Sequence, residues 1–340
     1  MQKRAYGRLA DGTPVEEFTL VGKGGLSVTA ITYGAIITHL CFGGKDVVLG
    51  QTCLEDYVNG VGAIGITVGR FANRIANGRF TLNGKEYDVG CNEKGRGHLH
   101  GGTIGFDKHV WSLTALDDHT ASLRLISPDG DMGYPGTMTV DLTFAVEVDN
   151  TLTITYRAVS DKDTVINLTN HAYFNLNGYD GGDVLDTVLQ INADSILPVD
   201  DLLIPTGKRL AVAGTPFDFR EPKAIGREID SEHPQMVIGG GYDHNFCLGD
   251  ERALRHAVSA YSPRSGIRMD CYTDQPGVQL YTANFLDCDH GKGGAMTKHQ
   301  GFCLETQHFP YSPNQPSFPT TTLHAGDVFE SVTQYRFTQE

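Results

Sequence analysis

The stretch MTVDLTFAVEV, residues 138–148, sets Met138, Val140, Leu142, Phe144, Val146 and Val148 in strict alternation with polar or small residues. A period of two describes a strand with one face buried. Asp149-Asn150 supplies a turn, and the alternation resumes at Leu152, Ile154 and Tyr156. Residues 138–158 therefore read as a long antiparallel hairpin. A second hairpin lies in GRFTLNGKEYDV, 78–89, with Asn83-Gly84 as the left-handed turn pair. Short apolar runs recur at WSLTAL, ASLRLI, DTVLQINA, GVQLYTANF and FESVTQYRF, whereas only CLEDYVN has helical character, for one or two turns. No repeat, low-complexity tract or linker-like break divides the chain. The pattern predicts an all-β fold, one large antiparallel β-sandwich over residues 1–340 with few short helices and functional residues on long loops.

Charge and motifs exclude several functions. The 27 basic residues face 41 acidic ones, a net charge of −14, and no basic run interrupts the excess. Nucleic acid and anionic membrane surfaces are poor partners for such a chain. No stretch approaches membrane-spanning length, and the opening residues lack an apolar signal core. The seven cysteines include no C-x-x-C pair, which predicts reduced thiols in the cytoplasm, neither a disulfide frame nor a zinc site. G-x-S-x-G, P-loop and dinucleotide fingerprints are absent, so acyl, phosphoryl and hydride transfer lack their usual hardware.

Polar density gathers in five places. In GFCLETQHFPYSPN, 301–314, Cys303, Glu305 and Gln307 share one strand face and Phe302, Leu304 and Thr306 the other. The prolines at 310, 313 and 316 stop the strand, so Glu305 is expected near its end, partly shielded. GRFANRIANGRF holds Arg70, Asn73 and Arg74, and either arginine could simply brace strands through a carboxylate. In GRGHLHGG, His98 and His100 would share a face if extended, and could be ordinary strand histidines with satisfied hydrogen bonds. In INLTNHAYFNLNG, strand spacing lines His171, Tyr173 and Asn175 along one face, a wall suited to a ligand. GGGYDHNF presents Asp243, His244 and Asn245 after a glycine turn, although Asp243 could merely pin its loop. No H-E-x-x-H or cysteine pair supports a metal. Carboxylates, amides, imidazoles and aromatics on strands suit a neutral polyhydroxylated ligand, and one carboxylate with one imidazole can move protons without a cofactor.

Taken in order, GRFANRI, HLHGG-x-x-GFDKHVW, LTNHAYFNL, YDHNF, PGVQLYTANF and KHQGFCLETQHFPYSPN resemble the aldose 1-epimerase (galactose mutarotase) family, and the likeness runs on to HAGDVFESVTQYRF. The resemblance implies a large β-sandwich, or supersandwich, with a cleft for a monosaccharide on a concave sheet. It implies a cofactor-free and metal-free isomerase of free aldohexoses, working as a monomer or homodimer. By matching motifs, Glu305 takes the family's base position and His171 its acid position, with His100 a second histidine on the ring-oxygen side. Asn73, Arg74, Tyr173, Asp243 and Gln279 fall on sugar-contacting positions. One departure is Tyr311, where the family usually has Asp after QHFP; lying past the base, it bears on loop packing or rim contacts.

Overall fold

The computed structural model describes residues 2–60 and 62–340. Met138–Val146 pairs with Thr151–Ser160 in unbroken antiparallel register, and the predicted apolar positions from Met138 to Val146 are buried. The alternation fails at Val148, which is 72% exposed. Its strand has already ended, and the chain turns over residues 147–151 with Asn150 at φ 63. The Asn83-Gly84 hairpin forms as predicted, both turn residues at positive φ, as a two-residue turn between twisted strands requires.

The long hairpin belongs to a nine-stranded antiparallel sheet. Within it, the C-terminal strand Val328–Gln339 pairs with Thr151–Ser160 on one side and Ile267–Thr273 on the other. A five-stranded sheet carries the Asp243–Cys247, Gly277–Tyr281 and Cys303–Gln307 strands side by side. A third sheet, also of five strands, runs from Gln2–Arg8 to Lys45–Asp46. Phe302, Leu304, Val278, Leu280, Phe246 and Tyr335 join one apolar cluster that also takes in the inner residues of the long hairpin. Tyr335 donates its hydroxyl to the Leu304 carbonyl at 2.9 Å and packs its ring 4.9 Å from that of Phe174. Each large apolar side chain so buried stabilises the fold by about 1.5–3 kcal/mol, and this backing makes the strand bearing Glu305 a rigid platform.

Among the described residues two short α-helices are present, Leu54–Asn59 and Pro234–Gly239. The first is the predicted CLEDYVN turn. The second was not anticipated, although proline at its start and left-handed Gly240 at its end are the usual boundary residues. Among the described residues no helix is long and apolar enough to cross a membrane.

Candidate active site

Glu305 sits in the middle of the Cys303–Gln307 strand and is 2% exposed, so the expectation of a partly shielded strand end is corrected. Pairing with Gly277–Tyr281 over the strand's full length carries the ladder on to Gln307, and the prolines act only beyond it. The face assignment holds, with Phe302 and Leu304 in the apolar core and Glu305 on the side of the polar cavity.

The predicted wall of His171, Tyr173 and Asn175 is corrected. Only Thr169–Asn170 lies in a ladder; after it the backbone bonds three separate segments, His171 N–H to Ile66, Phe174 N–H to Phe302 and Asn175 N–H to Val47. Such a path cannot hold one residue face. His171 and Tyr173 reach the cavity, while Asn175 turns away and donates to the Gly182 and Gln300 carbonyls, each at 2.8 Å. The Tyr173 hydroxyl donates to the Gly62 carbonyl at 2.6 Å.

His98 and His100 also part company. His98 is a fully buried structural histidine between the Tyr134 hydroxyl, 2.7 Å, and the Gly90 carbonyl, 3.1 Å. His100 adopts φ 52, which breaks the extended run and swings its ring to within 5.2 Å of the His171 ring. Asn73, at φ 63, donates its main-chain N–H to His100 Nδ1 at 3.2 Å and accepts the His100 N–H at 3.1 Å. Asn and His tolerate this left-handed backbone better than bulky residues do. Arg70 is a brace, donating to the Pro135 and Gly136 carbonyls at 2.9 Å each.

Asn73, Arg74, His100, His171, Tyr173, Asp243 and Glu305 meet around one cavity of about 260 Å³. The cavity can enclose a ring of monosaccharide size. Asp243 is the first residue of its strand, and it stands 3.8 Å from an Arg74 nitrogen. Its neighbour His244 faces the core, its ring 4.6 Å from that of Phe217. Gln279 is not among the lining residues; it lies beside Glu305 in the sheet register and donates to Asp243 at 2.7 Å. Tyr311 packs against an apolar cluster beside the site and donates its main-chain N–H to the Arg74 carbonyl at 2.9 Å.

Sequence reasoning missed six lining residues, Gly62, Ala63 and Leu99 along with the chemically telling Glu93, Tyr281 and Phe285. Glu93 grips Arg74 through two bonds of 2.8 and 2.9 Å, yet its surroundings in the chain carried no signal. Tyr281 and Phe285 supply aromatic faces, and Phe285 is 65% exposed at the mouth. Period two in GVQLY already put Tyr281 on the face of Gln279, so that one was legible.

His171 Nε2 lies 3.6 Å from Glu305 Oε1. Burial pushes Glu305 up to about 8, the Asp243 charge adding to the effect and Arg74 opposing it. Burial also brings His171 down to about 4. His100 falls well below the ordinary imidazole range through burial and the neighbouring His171 and Arg74. The His171–Glu305 pair therefore holds one proton between about pH 4 and 8.

His100, His171 and Glu305 bring ligating atoms within 4.8 Å of one another, the arrangement among the described residues that could hold a metal. Yet Asn73 occupies His100 Nδ1 with an N–H, so the neutral ring carries its proton on Nε2, where a metal needs a lone pair. The donor set favours hydrogen-bonding over coordination.

A family model described as aldose 1-epimerase matches residues 16–336. Galactose mutarotase of Rattus norvegicus is 42% identical, covering 98% of each chain. Aldose 1-epimerase of Escherichia coli (strain K12) is 37% identical, covering 97% of each. The crystal structure of galactose 1-epimerase from Lactobacillus acidophilus superposes with a TM-score of 0.88 at 31% identity, covering 99% of this chain and 98% of the other.

Proposed function

Because the chain belongs to the aldose 1-epimerase family and interconverts the anomers of aldoses, we propose that Glu305 and His171 carry out the ring opening and closure on free aldohexoses such as galactose and glucose. The observation that carries this reading is the buried pair itself, 3.6 Å apart at one cavity. Burial alone leaves the pair's one proton on Glu305. A sugar hydroxyl donating to the carboxylate, with Arg74 nearby, favours the ionised acid and draws the proton to His171.

In that state Glu305 takes the proton of the anomeric hydroxyl while His171 Nε2–H protonates the ring oxygen. The bond from C1 to the ring oxygen breaks, and the carbonyl forms at C1 as the anomeric O–H electrons move in. Rotation about C1–C2 exposes the other carbonyl face, and closure returns both protons. No net acid, base or electron is consumed, so the pair is restored. His100, with its proton on Nε2, donates on the ring-oxygen side. Arg74, Asp243 and Asn73 hold the distal hydroxyls, Gln279 steadies Asp243, and Tyr173, Tyr281 and Phe285 cover the C–H faces. Gln279 donates its amide N–H to Asp243 and keeps Oε1, without a partner among the described residues, beside Glu305, which supports a sugar contact there. Seven free thiols support a reducing compartment, the cytoplasm, and an apolar core running through several sheets supports one domain.

The test is optical rotation of freshly dissolved α-galactose and α-glucose. The protein at catalytic concentration should hasten the approach to the equilibrium value well beyond the buffer rate. Sugar binding without acceleration would make it a carbohydrate-binding relative that has lost the chemistry.

A further inference from the structure

Each ring nitrogen of His171 faces a group on the same strand. Nε2 faces Glu305, and Nδ1 lies 3.5 Å from the sulfur of Cys303. Two residues apart on one strand face, Cys303 and Glu305 stand roughly 7 Å from each other, a span that the imidazole bridges. Cys303 is fully buried and its strand is paired through Tyr281, so the sulfur is held in place.

We propose that Cys303 is a positioning residue for His171: its sulfur accepts the Nδ1–H, which leaves Nε2 as the nitrogen that exchanges a proton with Glu305 and the sugar. The proposal rests on the proton-transfer role given to His171 above. A group that cycles between imidazolium and imidazole at Nε2 must keep its other proton on Nδ1 throughout, and that proton needs a fixed acceptor. The third group of an activated base usually does this. In many sites the acceptor is a carboxylate, which would hold the imidazolium firmly. A sulfur is only a weak acceptor. Burial beside Glu305 keeps Cys303 a neutral thiol, its pKa pushed far up. The ring is oriented without being made strongly basic, so the imidazolium yields its proton readily to a sugar oxygen.

The second histidine has the opposite arrangement. Its Nδ1 accepts the Asn73 main-chain N–H at 3.2 Å, so His100 carries its proton on Nε2 and is a donor only. Two neighbouring imidazoles are thereby given different tautomers by what their Nδ1 atoms touch, one to exchange protons and one to donate a hydrogen bond.

Nitrogen NMR of the full chain with ¹⁵N-labelled histidine tests this. In the native protein at neutral pH, His171 should show a protonated Nδ1 and a bare or exchanging Nε2, and His100 the reverse. Cys303→Ser keeps an acceptor, and Cys303→Val keeps volume without one. The serine variant should stay within about twofold of native kcat, whereas valine should lose about fivefold, because His171 loses its fixed Nδ1–H acceptor and with it the single tautomer, with KM little changed. The valine variant should also mix the His171 tautomers. A bare Nδ1 on native His171, or native kcat and tautomer in Cys303→Val, would overturn the proposal. If the valine protein does not fold, the native spectrum alone decides. The expected spectrum combined with full turnover in His171→Asn would support the tautomer and sink the proton-transfer role instead.

Discussion

His171 Nε2 stands 3.6 Å from Glu305 Oε1, and neither side chain is more than 6% exposed. At that separation, away from water, the two groups titrate as a pair. Glu305 is raised and His171 lowered from their ordinary values, so the free site keeps one shared proton across neutral pH.

The pH profile of kcat/KM for galactose should therefore be a bell. Below about 4 the pair gains a second proton and Glu305 cannot act as base. Above about 8 the pair loses its only proton and His171 cannot act as acid. A rate that continues to climb beyond the upper value would contradict the shared proton.

His171→Asn should cost about a hundredfold to ten-thousandfold in turnover, as removal of a positioned acid does, while galactose still binds through Arg74 and Asp243. His100→Asn should cost less, since His100 only donates a hydrogen bond. Steady-state kinetics of the two variants check the order. A larger loss at His100 would place the acid on the wrong histidine.

The legible parts of this molecule are those that local chemistry dictates. The 138–158 hairpin is written in alternation, the 83–84 turn in Asn-Gly, and the face of Glu305 in the apolar identity of Phe302 and Leu304. Asn175 was misplaced because its segment is tied to three separate distant segments, and period two has no meaning where no ladder exists. Glu93 was invisible because its partner Arg74 is brought to it by a strand pairing that matches Arg74 with Leu99. The opposite fates of His98 and His100 turn on the left-handed backbone at His100, which the residue alone does not announce. The motifs that resemble the aldose 1-epimerase family supplied what local reading could not, by tying positions far apart in the chain to one site.

Phosphorylated hexoses should be poor substrates. Arg74 is the one cationic side chain among the described lining residues that carries a fixed charge, and Glu93 and Asp243 already engage it. Lys298, in the loop before Glu305, is exposed and outside the cavity. Each uncompensated like-charge pair a few ångströms apart costs on the order of 3 kcal/mol at an effective dielectric near 20. Exchange kinetics at low salt should give glucose a kcat/KM at least about a hundredfold above that of glucose 6-phosphate. A preference for the phosphate would assign the cavity to a different epimerase substrate.

Exhaustive chelation should leave anomer exchange unchanged, because the proton route calls for no Lewis acid and His100 presents a proton where a metal would need a lone pair. Loss of activity on chelation, restored by a divalent ion, would return His100, His171 and Glu305 to the role of metal ligands.

Glu305 is the proposed base. Glu305→Gln preserves size and fills the same buried place, but its amide cannot take the anomeric proton. Anomer exchange of galactose measured by magnetisation-transfer NMR on native and Glu305→Gln protein, at equal concentration, tests this most directly. Exchange in the glutamine variant should fall by about a hundredfold to ten-thousandfold with sugar binding retained; exchange at the native rate would remove Glu305 from the base position.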